Sequence, residues 1–149
     1  MGVMTSTGWR SVPHTADLAL EIWAPDLERI YATAATALFE SLGEPRTLEP
    51  DVPFEVASAG VDREDLLVRL LSDLLAAFEV DGRFVLSATC EALDPGADGV
   101  DAAVTLRCEG GRVDRDREPG LQEIKAVTYH ALQIREENDR IVARVVFDL

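Results

Sequence analysis

The chain has 149 residues, of which 47% are hydrophobic and 28% are charged. This composition is typical of a folded, soluble protein and excludes a disordered chain, and the length suits one domain with a substantial core. The net charge of −14 argues against direct, strong nucleic-acid binding, because phosphates are bound by lysine and arginine. It favours a basic protein partner or divalent cations, although a charge that serves only solubility explains it equally well.

Hydropathy and cysteine usage predict where the protein resides. No apolar run reaches the roughly 18 residues that cross a bilayer, and the N-terminus lacks a cationic segment followed by an apolar block, so we expect no membrane association and a cytoplasmic location. Residues 1–8 are small and polar and are expected to be disordered, which leaves residues 9–149 as a single domain. Cys90 and Cys108 are expected to be buried free thiols, with a disulfide as the alternative.

The first regular elements are a strand and a helix. Residues 16–23 alternate between apolar and polar, which predicts a strand that carries Asp17 near its start, on the face opposite its apolar residues. Apolar residues at helical spacing follow. Asp26 is suited to accept hydrogen bonds from the N–H groups of the first helical turn, and Gly43 is suited to the left-handed conformation at the C-terminal end.

The middle of the chain predicts a strand, a second helix and a hairpin. Residues 52–59 resemble a strand. Asp62 is suited to begin a second helix and Asp81-Gly82 to end it, and the leucine face of this helix is more typical of a core than of a partner groove. Residues 83–93 and 100–108 are two further strands, and the turn-forming link between them predicts a β-hairpin. The most polar segment, residues 110–120, is expected to be a mobile loop.

The last part of the chain predicts a hairpin of two long strands. Residues 123–135 are rich in β-branched and aromatic side chains and are apolar on both faces, so we expect this strand inside a sheet and not at its edge. Simple alternation places Thr128 and Ile134 on the same face. Residues 141–149 form the final strand, antiparallel to it. The sum is an α+β fold, with two helices packed on a mainly antiparallel β-sheet system.

Three charged residues lie at the ends of these strands, namely Asp17, Lys125 and Asp148. A hairpin of the last two strands would make Lys125 and Asp148 neighbours, both on the less apolar face, and Asp17 would join them if the first strand lies alongside. Converging carboxylates offer the oxygen ligands that Ca²⁺, Mg²⁺ and Mn²⁺ prefer, and a lysine offsets their repulsion. From the spacing alone, a plain Lys–Asp ion pair that closes the fold is the favoured explanation.

The remaining residues offer little for catalysis. The only histidines are His14 and His130, which lack the spacing to form a zinc site with the two cysteines. His130 lies on an otherwise apolar face and is predicted to be a structural histidine with satisfied hydrogen bonds. A stand-alone metal-dependent phosphoesterase that uses Asp17 and Asp148 is an alternative function, although few basic groups are available to hold phosphate.

Three segments together resemble the archease family. They are His-Thr-Ala-Asp at residues 14–17, Glu-Ile-Lys-Ala-Val-Thr-Tyr-His at residues 123–130 and Val-Val-Phe-Asp-Leu at residues 145–149. The resemblance covers the whole chain in order, including its length, its two helices and its acidic character. The second segment is long and specific, whereas the first alone would be weak. The fold implied is the archease-like α+β fold.

The resemblance implies a function in RNA joining. Archeases assist RtcB-type RNA ligases in tRNA splicing and RNA repair. Such a ligase uses GTP and a metal to load a guanylyl group onto its own histidine, and the archease promotes that loading and therefore repeated turnover. The resemblance thus implies a chaperone-like protein cofactor that is not itself an enzyme, with the ligase as its partner. Whether the chain forms a homo-oligomer is left open.

The resemblance also implies a set of site residues. It implies a divalent metal, Ca²⁺ first and Mg²⁺ or Mn²⁺ as alternatives, held by Asp17, Asp148 and Leu149, whose terminal position suits an oxygen ligand. Ligase activation would depend on Asp17, Lys125 and Asp148. Pro13 stands where the family usually has an acidic residue, which predicts weaker binding of metal or partner. The residues expected to support the site are His14, Glu123 and His130.

Overall fold

The computed structural model describes residues 6–12 and 17–149. Within them, two helices and eight strands form an α+β fold. The fold class and both helices are as predicted, whereas the short strands at residues 8–12 and 49–50 were not predicted. The helices are α1 (Leu27–Leu42) and α2 (Arg63–Asp81), and the strands are β1 (Gly8–Val12), β2 (Leu18–Ala24), β3 (Glu49–Pro50), β4 (Phe54–Gly60), β5 (Arg83–Asp94), β6 (Ala102–Arg112), β7 (Ala126–Glu137) and β8 (Arg140–Asp148). Sheet A has the strand order β1-β2-β8-β7, and in sheet B strand β6 pairs with β3, β4 and β5. All pairs between these strands are antiparallel.

Both helices begin and end at the residues that the sequence predicts. The side chains of Asp26 and Asp62 precede α1 and α2, and each accepts a hydrogen bond from the backbone N–H three residues later, at 2.9 and 2.8 Å. Each such cap stabilises its helix by about 1 kcal/mol. Gly82 ends α2 in the left-handed conformation. Gly43 ends α1 with a φ of 112°, which is positive as expected but outside the left-handed helical region.

A continuous buried core joins both helices to both sheets. Its aromatic centre consists of Phe39 from α1, Phe78 from α2 and Phe84 from β5, whose rings meet edge to face with centroids 5.1–6.1 Å apart, an arrangement that aromatic rings favour. Alternate residues of β2 and β8, such as Leu20 and Val145, extend the core to sheet A. In the described part of the chain, neither helix is long and apolar enough to span a membrane.

Strand β8 occupies the interior of sheet A. It pairs with β2 on one side and with β7 on the other, which confirms the predicted hairpin of the last two strands. The hairpin turn consists of Asn138 and Asp139, both with positive φ, as tight hairpin turns require. Residues 1–8 were expected to be disordered, but Gly8 is the first residue of the outer strand β1. Residues 1–5 lie outside the described residues.

Strand β7 differs from its prediction in two respects. It lies at the edge of sheet A, so the expectation of an interior strand is wrong. Its regular pairing is also interrupted, because residues 129–132 lie opposite Val145 alone, and Ala131 adopts a φ of +52°. This bulge breaks the alternation, so Thr128 and Ile134 face opposite sides of the sheet instead of sharing one. Helix α2 packs against β7, which accounts for the apolar content that suggested an interior position.

The polar segment at residues 110–120 is more ordered than the sequence suggests. Strand β6 continues to Arg112, and a short 3₁₀ turn follows at Arg115–Arg117. Glu118 is buried, and its carboxylate accepts hydrogen bonds from the backbone N–H groups of Arg46 and Thr47 and from the Thr47 hydroxyl, at 2.7–3.0 Å. These hydrogen bonds lower the pKa of Glu118. The expectation of a mobile loop is therefore wrong for this anchored segment.

Both cysteines are free thiols, as predicted. Cys108 is buried, and burial raises its pKa to about 11. Cys90 is only half-buried, less than expected, and burial raises its pKa with a further contribution from the charge of Glu28. Neither thiol is therefore poised to react as a thiolate near neutral pH.

Candidate functional site

Sheet A brings Asp17 next to Asp148 at one end of the sheet. Leu18, the first residue of β2, pairs with Phe147 of β8. The next residue outward on each strand is an aspartate, so Asp17 and Asp148 occupy opposed positions at the ends of neighbouring strands. From the sequence, Asp17 was expected to join Asp148 only if the strand at residues 16–23 lay alongside the last strand. The pairing of β2 with β8 meets that condition.

Lys125 reaches the same end of the sheet from the other side of β8. Its main-chain N–H donates to the main-chain carbonyl of Asp148 at 2.8 Å, so the two residues are neighbours, as predicted. The register nevertheless places Ala126, and not Lys125, directly across from Asp148. Lys125 precedes β7 and does not share the less apolar strand face that the alternation assigned to it. We call Asp17, Lys125, Asp148 and Leu149 the acidic end of sheet A.

The acidic end is open to solvent. Lys125 and Asp148 are exposed, Asp17 is half-buried, and Leu149 is 38% exposed. Opposed residues on antiparallel strands have Cβ atoms about 4.5–5.5 Å apart, and like charges at such positions repel. Solvent screening limits that repulsion to less than about 1 kcal/mol. A cation close to both carboxylates, whether an ammonium group or a metal ion, would reduce it further.

The oxygen donors at the acidic end are of the kind that a hard divalent cation takes. The carboxylates of Asp17 and Asp148 and a main-chain oxygen of Leu149 are suitable ligands for Ca²⁺, which accepts carboxylate, carbonyl and water oxygens. No three His, Cys, Asp or Glu side chains come together as a ligand group in residues 6–12 and 17–149. A cation at this site would therefore also depend on main-chain, water or partner oxygens.

Three residues were expected to support this site. Of these, His14 lies outside the described residues, as does Pro13. Glu123 is exposed and lines a cavity of about 230 Å³ together with Phe78 and Arg115. His130 is exposed in the bulge of β7, where its backbone N–H donates to the Thr128 hydroxyl at 3.3 Å. The alternation placed His130 on an otherwise apolar face, whereas the bulge of β7 leaves it exposed to solvent.

Lys125 is the only lysine of the chain, which has thirteen arginines. A lysine ammonium is a compact point charge, whereas an arginine guanidinium is a broad planar fork. This single lysine lies next to Asp148, through the bond between their main chains. The count also makes Lys125 the one side-chain amine available for selective chemical modification.

A second polar cluster, which the sequence did not suggest, links the bulge of β7 to helix α2. The Tyr129 hydroxyl donates to Asp65 Oδ1 at 2.6 Å, and Asp65 also accepts from the Val61 N–H at 3.0 Å. Arg69 Nε lies 3.5 Å from the same carboxylate. These hydrogen bonds, that of Tyr129 foremost, lower the pKa of Asp65, and the bond to Asp65 raises the pKa of Tyr129. The contact between Tyr129 and Asp65 could not be predicted from regular alternation along β7, because Tyr129 lies in the bulge that interrupts that alternation.

Curated relatives resemble the chain over almost its full length. An archease from Methanopyrus kandleri is 33% identical over 141 residues, covering 95% of this chain and 99% of the relative. An archease from Methanosarcina barkeri is 30% identical over 148 residues, covering 98% of this chain and all of the relative. Every segment that forms sheet A therefore has a counterpart within the matched length.

Solved structures show the same fold. The solution structure of protein 1598 of Methanobacterium thermoautotrophicum matches with a TM-score of 0.75 and 29% identity, covering 95% of this chain and 99% of that one. The crystal structure of an archease from Thermotoga maritima, described as a possible chaperone, matches over both full chains with a TM-score of 0.57 and 24% identity. The model of the archease protein family matches residues 9–149. The chain therefore belongs to the archease family.

Proposed function

We propose that this protein activates an RtcB-type RNA ligase. It would promote GTP-dependent guanylylation of the ligase histidine and so permit multiple turnover in tRNA splicing or RNA repair. Membership of the archease family supports this role, as does the description of a structural relative as a possible chaperone. On this account the protein is a cofactor of the ligase and not an enzyme, and we expect both proteins in the cytoplasm.

The observation that carries the proposal is the convergence of Asp17, Lys125 and Asp148 at the acidic end of sheet A. Strand β8, which carries Asp148, lies between β2, which follows Asp17, and β7, which follows Lys125. The Lys125 N–H donates to the Asp148 carbonyl at 2.8 Å and so fixes the start of β7 against the end of β8. The three residues come from distant parts of the sequence. Such a convergence of charged groups on a rigid sheet provides a defined surface that can be presented to a partner.

Asp17 and Asp148, with a main-chain oxygen of Leu149, would hold a divalent cation, Ca²⁺ first and Mg²⁺ or Mn²⁺ as alternatives. When bound, the ion would supply positive charge that can balance phosphate oxygens of a nucleotide. The two carboxylates would orient it at the exposed tip of the sheet. Lys125 would limit the repulsion between the carboxylates in the ion's absence.

The charge of the protein suits this encounter. A net charge of −14 would draw the protein towards a basic surface, such as one that binds a nucleotide, and accelerate association. The same charge would keep the protein away from the RNA substrate itself. The acidic end of sheet A would then approach the nucleotide site of the ligase and place its cation ligands there.

The experiment is guanylylation of the ligase by GTP at limiting divalent metal, with and without this protein. Wild-type protein should stimulate the reaction, and Asp17→Ala and Lys125→Ala should lose the stimulation while their circular dichroism stays that of the wild type. Asp98→Asn, in the exposed link between β5 and β6, is the matched control and should stimulate normally. Unchanged stimulation by Asp17→Ala would contradict the role of the acidic end. Hydrolysis of GTP by the protein alone, lost in Asp148→Asn, would instead favour a metal-dependent phosphoesterase.

A further inference from the structure

The face of sheet A turned away from the core carries a row of polar side chains across all four strands. In this row Arg10 pairs with Glu21, Glu21 pairs with Arg144, and Arg144 pairs with Gln133. Opposed residues on antiparallel strands share a face. The core-facing residues of β2 and β8 alternate with these, so the row lies on the opposite surface of the sheet.

Neighbouring positions on this face add two more arginines. Arg135 lies 2.9 Å from the Glu137 carboxylate and 3.9 Å from that of Glu21. The Arg140 guanidinium lies over the Trp23 ring, 5.7 Å from its centroid. Four of the thirteen arginines of the chain thus share one face. We call Arg10, Arg135, Arg140 and Arg144 the arginine end of sheet A.

The arginine end has more positive charge than its own carboxylates can balance. Glu21 and Glu137 are its acidic neighbours, and both are engaged with Arg10 or Arg135 at 2.9 Å. The Nε atoms of Arg140 and Arg144 are buried and have no hydrogen-bond partner within the described residues. Two guanidinium groups are therefore held in place by packing but are incompletely satisfied. In a chain with a net charge of −14, such a local excess of positive charge is unusual.

We propose that the arginine end of sheet A binds an Asp- and Glu-rich segment of a partner protein. Guanidinium groups bind carboxylates through paired, charge-assisted hydrogen bonds. Arg10 and Arg135, with side chains 65% and 35% exposed, are accessible to such a segment. An acidic segment of a few residues can remain on this patch without lying over the acidic remainder of the surface.

A nucleic acid fits this surface less well. A long polyanion would extend beyond the patch and meet the negative charge of the rest of the protein. Binding of single strands also uses aromatic rings as stacking platforms. Trp23 is engaged on this face, because Arg140 lies over its ring, and a Cβ atom added at Gly8 would lie only 2.9 Å from it. The packing around Trp23 therefore disfavours base stacking.

This surface is separate from the acidic end of the same sheet. Arg144 and Asp148 are four residues apart on β8, which corresponds to about 13 Å along a strand. Both residues belong to the side of the sheet that faces away from the core. One partner could engage both ends, but each end can be altered without changing the other, so this inference does not depend on the proposed ligase activation.

The test measures binding of a fluorescent oligoglutamate peptide to the intact protein by fluorescence anisotropy. The double variant Arg10→Gln/Arg135→Gln should bind the peptide about two- to 25-fold more weakly, since each exposed ion pair contributes about 0.2–1 kcal/mol, a factor of about 1.4 to five. Arg107→Gln is the matched control, because Arg107 is an arginine on sheet B whose side chain is 50% exposed. It should bind as the wild type does, and added salt should weaken wild-type binding.

Three results would overturn the inference. The first is equal binding of the peptide by the wild type and the double variant. The second is tighter binding of a single-stranded RNA of the same net charge, lost in the double variant, which would identify a nucleic-acid site. The third is self-association in sedimentation that the double variant abolishes, which would identify a second copy of this chain as the occupant.

Discussion

The main-chain N–H of Lys125 donates to the main-chain carbonyl of Asp148 at 2.8 Å. This bond joins the residue that precedes β7 to the last residue of β8. Asp17 lies at the same end of the sheet, because Leu18 pairs with Phe147. The bond involves backbone atoms only, so replacing either side chain leaves it intact. Side-chain variants at the acidic end of sheet A should therefore fold normally and report on the function of the removed group.

Replacement of the single lysine by arginine should impair function although the charge is kept. A guanidinium group is broader than an ammonium group and binds carboxylates in a bidentate manner, so Lys125→Arg should occupy the cation ligands of Asp17 and Asp148. We expect stimulation of ligase guanylylation to fall about tenfold, which corresponds to about 1.4 kcal/mol. Arg107→Lys on sheet B serves as the control for an arginine–lysine exchange and should have no effect. Full stimulation by Lys125→Arg would show that any positive charge suffices.

Calcium should stabilise the wild-type protein through the acidic end of sheet A. At a Ca²⁺ concentration about 100 times the dissociation constant, binding to the folded state contributes about 2.7 kcal/mol, or roughly 5–10 °C in melting temperature. Asp17→Asn should lose this increase, yet it should be at least as stable as the wild type without Ca²⁺ because a like-charge repulsion is removed. Asp98→Asn should behave as the wild type. If neither Ca²⁺, Mg²⁺ nor Mn²⁺ changes the wild-type melting temperature, the charged residues form only a structural ion pair.

Removal of the Tyr129 hydroxyl should destabilise the protein in a pH-dependent way. The bond from Tyr129 lowers the pKa of Asp65, so its contribution is present above the unfolded aspartate pKa of about 3.9 and is lost as pH falls through the folded pKa. The same bond raises the pKa of Tyr129, so the contribution is full below about pH 10 and is lost as pH rises through the folded value. Tyr129→Phe should cost about 1 kcal/mol at neutral pH.

Urea denaturation of the wild type and Tyr129→Phe measures this effect at neutral and acidic pH. The difference in unfolding free energy should become smaller once Asp65 is protonated in the folded state, because the bond is then no longer charge-assisted. Tyr31→Phe provides a comparison, because the Tyr31 hydroxyl donates to the Arg63 carbonyl at 2.8 Å and that bond involves no carboxylate. A Tyr129→Phe difference that persists unchanged at acidic pH would show that the hydroxyl does not act through Asp65.

Glu118 should be a determinant of stability rather than of activity. Its buried carboxylate satisfies the backbone N–H groups of Arg46 and Thr47, which would lose their partners in Glu118→Ala. These donors are only partly buried, so the loss of their hydrogen bonds should cost about 1 kcal/mol. Hydrogen exchange at residues 46 and 47 should accelerate in this variant, whereas the exposed Glu109→Ala should change neither exchange nor stability. Unchanged exchange in Glu118→Ala would contradict the anchoring role.

Features that depend on neighbouring residues could be predicted from the sequence. The helix limits follow from Asp26, Asp62 and Gly82, which act on the turns next to them, and the hairpin of β7 and β8 follows from a polar turn between alternating strands. Lys125 and Asp148 could be predicted to meet for the same reason, because a hairpin brings the start of one strand to the end of the other.

Features that depend on distant parts of the chain could not be predicted. The edge position of β7 and the proximity of Asp17 both result from the insertion of β8 between β2 and β7, which no local pattern specifies. The bulge at residues 129–132 contains no Gly or Pro that would signal it, and it moves His130 into solvent. The burial of Glu118 depends on Thr47, 71 residues away in sequence.

The most direct test of the proposed function counts RNA joining events per ligase molecule, with the ligase far below the concentration of the RNA. Wild-type protein should allow each ligase to join many RNA pairs, whereas reactions without it, or with Asp17→Ala or Lys125→Ala, should stop after about one event each. Asp98→Asn should support the full number. If the number of joined molecules per ligase is the same with and without the wild-type protein, this chain does not activate that ligase and the central claim is wrong.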